Sequence, residues 1–302
     1  MKTDTISNKR IIYCLLAVII LLWGANWPIM KIGLNYMPPL WFAFSRSALG
    51  SITLFVVLLI TRQLRLPPRQ DLSILFSYCL FFMVGTVALM HISLLYVPAG
   101  RSAVLVYTTP LWVTPAAYFI FGEQFTPRKI AGLIIGLGGL AVLFNPIEFQ
   151  WGDRMTLIGN LMPVGGAILW SIAILHVRAH SWKGSPLLLA FWQMSLATLI
   201  LGLLALWLSD FKNVSWTGQL VATLAYNGPL ASALCLWAVL VVNRNLPATA
   251  TAVGFQGVPV AGVLFSAAWA GESLTVTLIS SLVMIVAGMI LVNFPDRRIR
   301  KA

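Results

Sequence analysis

Few side chains in this chain could carry acid–base or metal chemistry, because only 9% of its 302 residues are charged and only three are histidines. His176 and His180 have the i, i+4 spacing that places two imidazoles on one helix face, as in some metal sites. No third ligand or glutamate is near them in the sequence, and Arg178 and Lys183 are close neighbours, which favours a solvated basic loop. The chain has no glycine-rich phosphate loop and no nucleophile motif. The sequence therefore predicts no catalytic residue, no metal and no cofactor.

Two of the eight acidic residues occur in one repeated phrase, with Glu123 in GEQFT and Glu272 in GESLT. The favoured interpretation is architectural: Gly122 ends one helix in the left-handed conformation, Thr126 caps the next helix, and Pro127 is its first residue. The carboxylate of Glu123 then lies near the positive end of that second helix. The alternative is that both glutamates form ion pairs that gate a pathway.

Arg46 is the basic residue that lies deepest within an apolar segment of the sequence. It is about seven residues from the start of that segment, or ~10 Å at ~1.5 Å per residue. A guanidinium at that depth either faces a polar cavity or hydrogen-bonds to carbonyls of neighbouring helices, and we favour the cavity. Other candidates for such a cavity are the hydrogen-bonding Asn26, Tyr107, Asn227 and Gln256, the rings of Trp23, Trp27, Trp170 and Trp237, and His91, for which a satisfied histidine near a segment end is the simpler interpretation.

Pro110 and Pro259 are each 13 residues from the end of the Gly-Glu turn that follows them. A proline inside a helix removes one N–H and disrupts the bond to the carbonyl four residues earlier, here at Val106 and Phe255. Both helices are therefore predicted to bend there. The pair is interpreted as hinges of a moving bundle, with a static kink as the alternative.

These residues are carried by a chain that is apolar along its whole length. It is 59% hydrophobic with a mean hydropathy of +0.89, whereas a soluble domain has roughly 25% charged residues. Runs of about 20 apolar residues, enough to cross ~30 Å of hydrocarbon, recur throughout. The sequence predicts an all-α integral membrane protein with ten transmembrane helices. The predicted spans are residues 11–30, 39–60, 72–95, 99–121, 128–145, 155–176, 186–208, 217–242, 247–270 and 275–294.

The distribution of positive charge orients these spans. If the N-terminus is cytoplasmic and the loops alternate, 15 of the 20 lysines and arginines fall on the cytoplasmic side. This bias predicts a multi-pass protein with both termini in the cytoplasm. The net charge of +12 is then explained by orientation and lipid headgroups, so no nucleic-acid partner is expected.

The chain contains an internal repeat. A shift of 149 residues superposes ten identical residues: Pro98, Ala99, Ala103, Val104, Pro110, Gly122, Glu123, Thr126, Gly139 and Pro146 fall on Pro247, Ala248, Ala252, Val253, Pro259, Gly271, Glu272, Thr275, Gly288 and Pro295. A shift of 147 residues aligns the earlier spans, so that Trp23 meets Trp170 and Arg46 meets Gln193. The predicted units are residues 1–148 and 149–302, with five spans each, and an odd number of spans inverts the second unit.

An inverted repeat is typical of secondary transporters, which alternate access to a central site by rocking one set of helices against another. Within such a site the positive charge would be on one side only, because the counterpart of Arg46 is the neutral Gln193. That asymmetry favours recognition of a carboxylate.

The doubled pattern resembles the EamA-type family of the drug/metabolite transporter superfamily. The resemblance is carried by the Trp23-Gly-Ala-Asn26 phrase, Lys31, Arg46, and the proline before each Gly-Glu turn, and it covers nearly all of the chain. It implies ten helices, an inner-membrane location and alternating-access export of small metabolites, with amino acids, including aromatic ones, as the expected class. Other members carry sugars, nucleotide sugars or small multidrug cations. The multidrug branch relies on a glutamate in its first span, where this chain has Asn26, so cation antiport is not expected.

The alternatives to an exporter of carboxylate-bearing metabolites are a transporter of sugars or drugs, a channel, and a polytopic membrane enzyme. The inverted repeat disfavours the channel, and the lack of catalytic motifs disfavours the enzyme. The expected partners are a small-molecule substrate and the lipid bilayer.

Overall fold

The computed structural model describes residues 9–122, 126–144, 153–181, 183–246 and 254–293. Glu123, one of the two residues predicted to form a turn or a gate, lies outside these ranges. Within them the chain is helical and contains no strand, which confirms the predicted all-α class.

Thirteen α-helices are defined in the described ranges. In chain order they are α1 Lys9–Gly33, α2 Pro39–Ile60, α3 Leu72–Tyr78, α4 Val87–Ser93, α5 Ala99–Val106, α6 Thr109–Phe121, α7 Pro127–Leu143, α8 Arg154–Ala179, α9 Pro186–Leu208, α10 Gly218–Ala225, α11 Cys235–Asn245, α12 Gly257–Ala270 and α13 Val276–Asn293. Two π-helical stretches connect pairs of these helices into longer continuous helical segments. Stretch π1 (Cys79–Thr86) joins α3 to α4, and π2 (Tyr226–Leu234) joins α10 to α11.

Eight helical segments of the described chain are long and apolar enough to cross a membrane. They are Arg10–Gly33, Pro39–Ile60, Arg69–Ser93, Ala99–Phe121, Arg154–Ala179, Leu187–Leu208, Gly218–Val239 and Val276–Asn293, and each matches a predicted span. The predicted span at 128–145 is the 17-residue helix α7. The described part of the span at 247–270 holds the 14-residue α12. The count of ten therefore depends on two helices shorter than the others.

The two Gly-Glu turns end their helices as the sequence predicts. Gly122 and Gly271 have φ angles of 65° and 64°, and they are the only glycines of the described chain in the left-handed region. Such a conformation suits glycine because it has no Cβ to clash. The Thr126 hydroxyl then accepts a hydrogen bond from the Lys129 N–H, and Pro127 is the first residue of α7, so this cap is confirmed.

The π-helical stretches begin 147 residues apart, which is the shift that aligns the two parts of the sequence. A π-helical turn is wider than an α-helical one and leaves a carbonyl without its usual partner. A side-chain hydrogen bond joins each stretch to another helix. The Trp23 indole N–H of α1 donates to the Ala231 carbonyl at 2.9 Å, and Thr86 in π1 donates to the Gly166 carbonyl of α8 at 2.9 Å. Both stretches are thereby joined to helices of the opposite half of the chain.

The two halves of the chain interlock in the bundle. Helix α1 packs on α11 and α12, α2 packs on α9 and π2, and α8 packs on π1, α4, α5 and α6. Helix α7 packs along α13, and glycines at their contact let the two backbones approach closely. A Cβ on Gly132 would lie 2.6 Å from the Gly288 carbonyl oxygen, and a Cβ on Gly288 would lie 2.6 Å from the Gly136 nitrogen. These contacts explain why small residues recur at this crossing.

The outward faces of the bundle are strongly apolar. Phe119, Trp207 and Val276 have 82%, 81% and 83% of their surface exposed. Large exposed hydrophobic side chains on helices of spanning length are the surface that a lipid environment requires.

Candidate functional site

A cavity of about 110 Å³ lies inside the bundle, where helices from both halves of the chain meet. Its walls come from α1, α2, π1, α4, α5, α8, α9, π2 and α11, together with the link between α5 and α6. The lining residues are Trp23, Asn26, Trp27, Met30, Arg46, Ser47, Phe82, Met83, Thr86, Val87, Met90, Val106, Tyr107, Trp170, Met194, Ala231, Ser232 and Leu236. A water molecule needs roughly 10–15 Å³ of such space, so the cavity has room for several waters or a small solute.

Arg46 supplies the positive charge of the cavity. It is the eighth residue of α2, and its Nε and Nη2 donate hydrogen bonds to the Ser232 hydroxyl at 3.3 and 3.0 Å. Its Nη1 lies 3.4 Å from the Met30 sulfur, a weak acceptor. A guanidinium has five N–H donors, so at least two remain unused, and no carboxylate of the described chain is paired with it.

Close packing of α2 on π2 sets the position of Arg46. A Cβ on Gly50 would lie 3.3 Å from the Gly228 carbonyl oxygen, and a Cβ on Gly228 would lie 2.3 Å from the Leu49 Cβ. The two glycines therefore allow the backbones to approach one turn from Arg46. This approach brings Ser232 within reach of the guanidinium.

Three aromatic residues form a contiguous part of the cavity lining. The Trp170 ring is 5.0 Å from the Phe82 ring and meets the Tyr107 ring edge-on at 5.7 Å. Neither the Tyr107 hydroxyl nor the Trp170 indole N–H bonds to any residue of the described chain, so both donors are available to a solute. Asn26 is buried in the same lining, and its side-chain carbonyl oxygen has no hydrogen-bond partner there.

The structure brings together four of the nine residues predicted to bind substrate, namely Asn26, Arg46, Tyr107 and Trp170. The other five lie outside the lining of this cavity: His91, Gln193, Asn227, Trp237 and Gln256. Their roles in binding stay predictions. Trp237 is 37% exposed on the bundle surface, whereas the remaining four are buried.

His91 and Asn227 are held by their own helices. His91 is fully buried in α4, where its Nδ1 donates to the Val87 carbonyl at 2.7 Å and its ring is 5.6 Å from that of Phe42. Asn227 donates from Nδ2 to the Thr223 carbonyl at 3.0 Å. The simpler interpretation of His91, a satisfied histidine, is met at only one ring nitrogen, because its buried Nε2 has no hydrogen-bond partner in the described chain.

Methionines form much of the lining, a feature that the sequence did not predict. Four of the ten methionines of the chain face the cavity: Met30, Met83, Met90 and Met194. Their unbranched, polarisable side chains adapt to irregular contacts. The sequence could have shown only that these methionines lie within spans, because the face they occupy depends on how the helices pack. Ser232 was missed for the same reason.

The segment predicted to bend at Pro110 is interrupted just before it. The interruption divides the segment into two helices instead of bending one. Helix α5 ends at Val106, and α6 begins at Thr109, so Pro110 is the second residue of a new helix. The Val106 carbonyl accepts a hydrogen bond from the Thr109 hydroxyl at 2.9 Å, so this hydroxyl replaces the N–H that the proline lacks. Pro259 is likewise the third residue of α12, which starts after a break at Gln256.

Glu272 caps a helix of the opposite half of the chain. Its two carboxylate oxygens accept the N–H groups of Ala99 and Gly100, the first residues of α5, at 2.6 and 2.9 Å. Lys31 lies 3.5 Å from Oε1 of the same carboxylate and also donates to the Val97 carbonyl at 3.2 Å. The next helix of the same half is capped by Thr275 instead, which accepts from the Leu278 N–H at 3.1 Å. The turn is thus both a cap and an ion pair, and it links the two halves.

The two histidines with helical spacing are engaged with the third membrane segment rather than solvated. His176 Nδ1 hydrogen-bonds to the Ser77 hydroxyl, and His180 Nε2 lies 2.9 Å from a carboxylate oxygen of Asp71, which is fully buried. The expectation of a solvated basic loop holds for Arg178 and Lys183, which are exposed, but not for the two histidines, because Asp71 is distant in sequence and adjacent in space. No group of three possible metal ligands occurs in the part of the chain that the structure describes.

Comparison with known proteins places this bundle among membrane transporters. An uncharacterized transporter of Bacillus subtilis, YvbV, is 28% identical over 92% of this chain and 90% of its own length. A probable amino-acid metabolite efflux pump of Salmonella typhimurium is 24% identical over 98% of both chains. An uncharacterized inner membrane transporter of Escherichia coli, YedA, is 29% identical over 90% of this chain and 87% of its own.

A solved structure, described only as the crystal structure of a protein, matches the fold with a TM-score of 0.65 at 18% identity. The match covers 94% of this chain and 96% of that one. The model of the EamA-like transporter family matches twice, at residues 10–145 and 157–294. Because the two matches together cover nearly all of the apolar bundle that encloses the cavity, this chain belongs to the EamA-like transporter family.

Proposed function

We propose that this membrane transporter is a secondary carrier that exports small organic metabolites bearing a carboxylate, with amino acids, including aromatic ones, in that class. The observation that carries the proposal is Arg46, a guanidinium in the cavity with unused N–H groups and no acidic partner in the described chain. A carboxylate can accept two parallel hydrogen bonds from one guanidinium. The printed name of the Salmonella relative, a probable amino-acid metabolite efflux pump, supports both the solute class and the direction.

The architecture that we propose is ten helices in two inverted units, residues 1–148 and 149–302. Three observations support it: the two matches of the family model, the spacing of 147 residues between the π-helical stretches, and the spacing of 149 residues between the breaks at Tyr107 and Gln256. The protein is then a multi-pass protein of the inner membrane. The positive-inside bias places both of its termini in the cytoplasm.

In the proposed cycle, the contact between Glu272 and α5 closes the outer end of the bundle. Opening that end requires α5 to leave the carboxylate that accepts its first N–H groups and pairs with Lys31. The breaks before Pro110 and Pro259 are the hinges that let α6 and α12 swing. By the repeat, Glu123 is the corresponding gate residue at the inner end.

A counterflow measurement in proteoliposomes tests this function. Vesicles that contain the protein and are preloaded with an unlabelled aromatic amino acid should take up the labelled one transiently, and saturably, above its equilibrium level. Liposomes without protein should not. Flux without saturation or counterflow would indicate a channel, and counterflow of sugars but not of carboxylates would favour a sugar transporter. Chemical conversion of the solute would indicate an enzyme.

A further inference from the structure

We infer that the cavity prefers monoanionic carboxylates with a compact apolar or aromatic body over zwitterionic amino acids of the same shape. The inference rests on the proposed function and narrows its substrate class. Its basis is the charge of the lining: Arg46 is present, and no aspartate or glutamate occurs among the lining residues of the described chain. An occupied site is neutral with a monoanion, whereas it keeps one positive charge with a zwitterion.

The polar groups of the lining are mainly donors. Arg46 has at least two unused N–H groups, and the Tyr107 hydroxyl and the Trp170 indole add two more. The Ser232 hydroxyl oxygen already accepts from Arg46. The Thr86 hydroxyl is directed at the carbonyls of Phe81 and Gly166. A carboxylate, which only accepts, fits this set.

An ammonium group would find poor compensation in the same space. It presents three donors, and the acceptors left for it are all neutral: the Asn26 carbonyl oxygen, which has no partner, and the hydroxyl oxygens of Ser47 and Tyr107. The faces of Trp23, Trp27 and Trp170 can attract a cation, but the guanidinium of Arg46 in the same small cavity repels it. A charge that leaves water without an opposite charge nearby is costly to bury. The ammonium therefore lowers affinity.

The rest of the lining sets the shape of the solute. Aromatic rings and four methionines surround the space, so an apolar body is favoured there. An apolar cavity of about 150 Å³ holds a benzene-sized molecule. At about 110 Å³, this cavity suits a body no larger than a single ring in the present conformation.

Binding of three probes that share one carbon skeleton tests the inference. 3-Phenylpropionate has only the carboxylate, phenylalanine has both charges, and phenethylamine has only the ammonium. Calorimetric titration of the purified full-length protein at pH 7 should give a Kd for 3-phenylpropionate at least about 10-fold lower than that for phenylalanine, equivalent to about 1.4 kcal/mol. Phenethylamine should bind most weakly. A phenylalanine affinity equal to or above that of 3-phenylpropionate would overturn the inference.

Variants that add a negative charge to the lining give the converse test. Asn26→Asp, with Asn26→Ser as its neutral control, should reduce the preference for 3-phenylpropionate over phenylalanine by about 10-fold, because the ammonium gains a partner. If Asn26→Asp does not fold, Ser47→Asp repeats the test at a lining position on α2, with Ser47→Asn as its neutral control. An unchanged preference in a folded aspartate variant contradicts the inference.

The outcomes also separate this inference from the proposed function. Counterflow of carboxylates together with tighter binding of phenylalanine would overturn only the charge preference. If none of the three probes binds, the charge preference is overturned as well. Loss of carboxylate counterflow altogether would remove the proposed function with it.

Discussion

At the scale of single residues, the site depends on one guanidinium whose surroundings are set by two neighbouring helices. Arg46 could serve either of two purposes, since it bonds to Ser232 of π2 and also keeps N–H groups free for a solute. A lysine would keep the charge but not the planar pair of donors. The two purposes therefore predict different effects of substitution: a role in binding predicts a loss of substrate selectivity, and a role in helix packing predicts a loss of stability.

Arg46→Gln should weaken binding of carboxylated substrates by roughly 10- to 150-fold, because a charge-assisted hydrogen bond contributes about 1.5–3 kcal/mol. Arg46→Lys should insert in the membrane normally and transport poorly. The measurement is the ratio of transport for a carboxylate and for its neutral amide. Ser232→Ala is the matched control, since it removes the bond between the helices and keeps the guanidinium.

If Arg46 only holds the helices together, all three variants should lower the melting temperature and reduce the transport of every solute equally. An unchanged ratio between carboxylate and amide in fully expressed Arg46→Gln would remove Arg46 from the binding site.

The sequence predicted part of the site, and the physical reason for the rest is helix rotation. Asn26, Arg46, Tyr107 and Trp170 were found because polar or paired aromatic residues within spans are rare. Gln193 was expected opposite Arg46, yet it is buried outside the lining. The repeat fixes which residues correspond between the two halves. The face of a helix that borders a cavity depends instead on packing, which differs between the halves.

At the scale of helices, the Gly-Glu turns were predictable in their local geometry and not in their long-range contact. The left-handed Gly122 and the Thr126 cap follow from neighbours within five residues. The contact of Glu272 with Ala99 and Gly100 links residues more than 170 positions apart. The π-helical stretches were also unforeseen: Cys79–Thr86 contains no proline, and a proline such as Pro229 in Tyr226–Leu234 does not by itself indicate a π-helix.

Glu272→Ala should destabilise the protein by about 1–2 kcal/mol, because two N–H groups at the start of α5 lose their acceptor and Lys31 loses its partner. It should also open the gated end of the bundle. A cysteine at Ser47, which lines the cavity, should then react several-fold faster with an impermeant thiol reagent. The melting temperature and the labelling rate are the two measurements.

Thr275→Ala is the matched control for Glu272→Ala. It removes the cap of α13 in the same turn and leaves the contact with α5 in place, so it should cost about 1 kcal/mol without changing the labelling rate. Equal labelling of the cysteine in both variants would show that Glu272 stabilises α5 without gating the cavity.

At the scale of the whole molecule, the interlocked halves explain why a cavity forms at all. Helix α1 packs on α12 and α8 packs on π1, so each half supplies the first helix of its unit to the other half. The cavity lies where these exchanged helices meet, with Trp23 and Asn26 from α1 and Trp170 from α8 in its walls. An arrangement of this kind can expose the cavity to either side if the exchanged helices rock together.

The inverted topology makes a prediction that tests this arrangement directly. Gln124 and Ser273 occupy corresponding positions in the two Gly-Glu turns, so the inverted repeat places them on opposite faces of the membrane. Gln124→Cys and Ser273→Cys, each in a background without Cys14, Cys79 and Cys235, should therefore react with an impermeant thiol reagent from opposite sides. In intact cells the cysteine at 273 should be labelled, whereas the cysteine at 124 should be labelled only in inside-out vesicles. Because five spans separate the two turns, any even number of crossings between them would bring both cysteines to one face. Labelling of both from the same side would thus contradict the ten-helix topology, and the symmetric pair of gates would lose its basis.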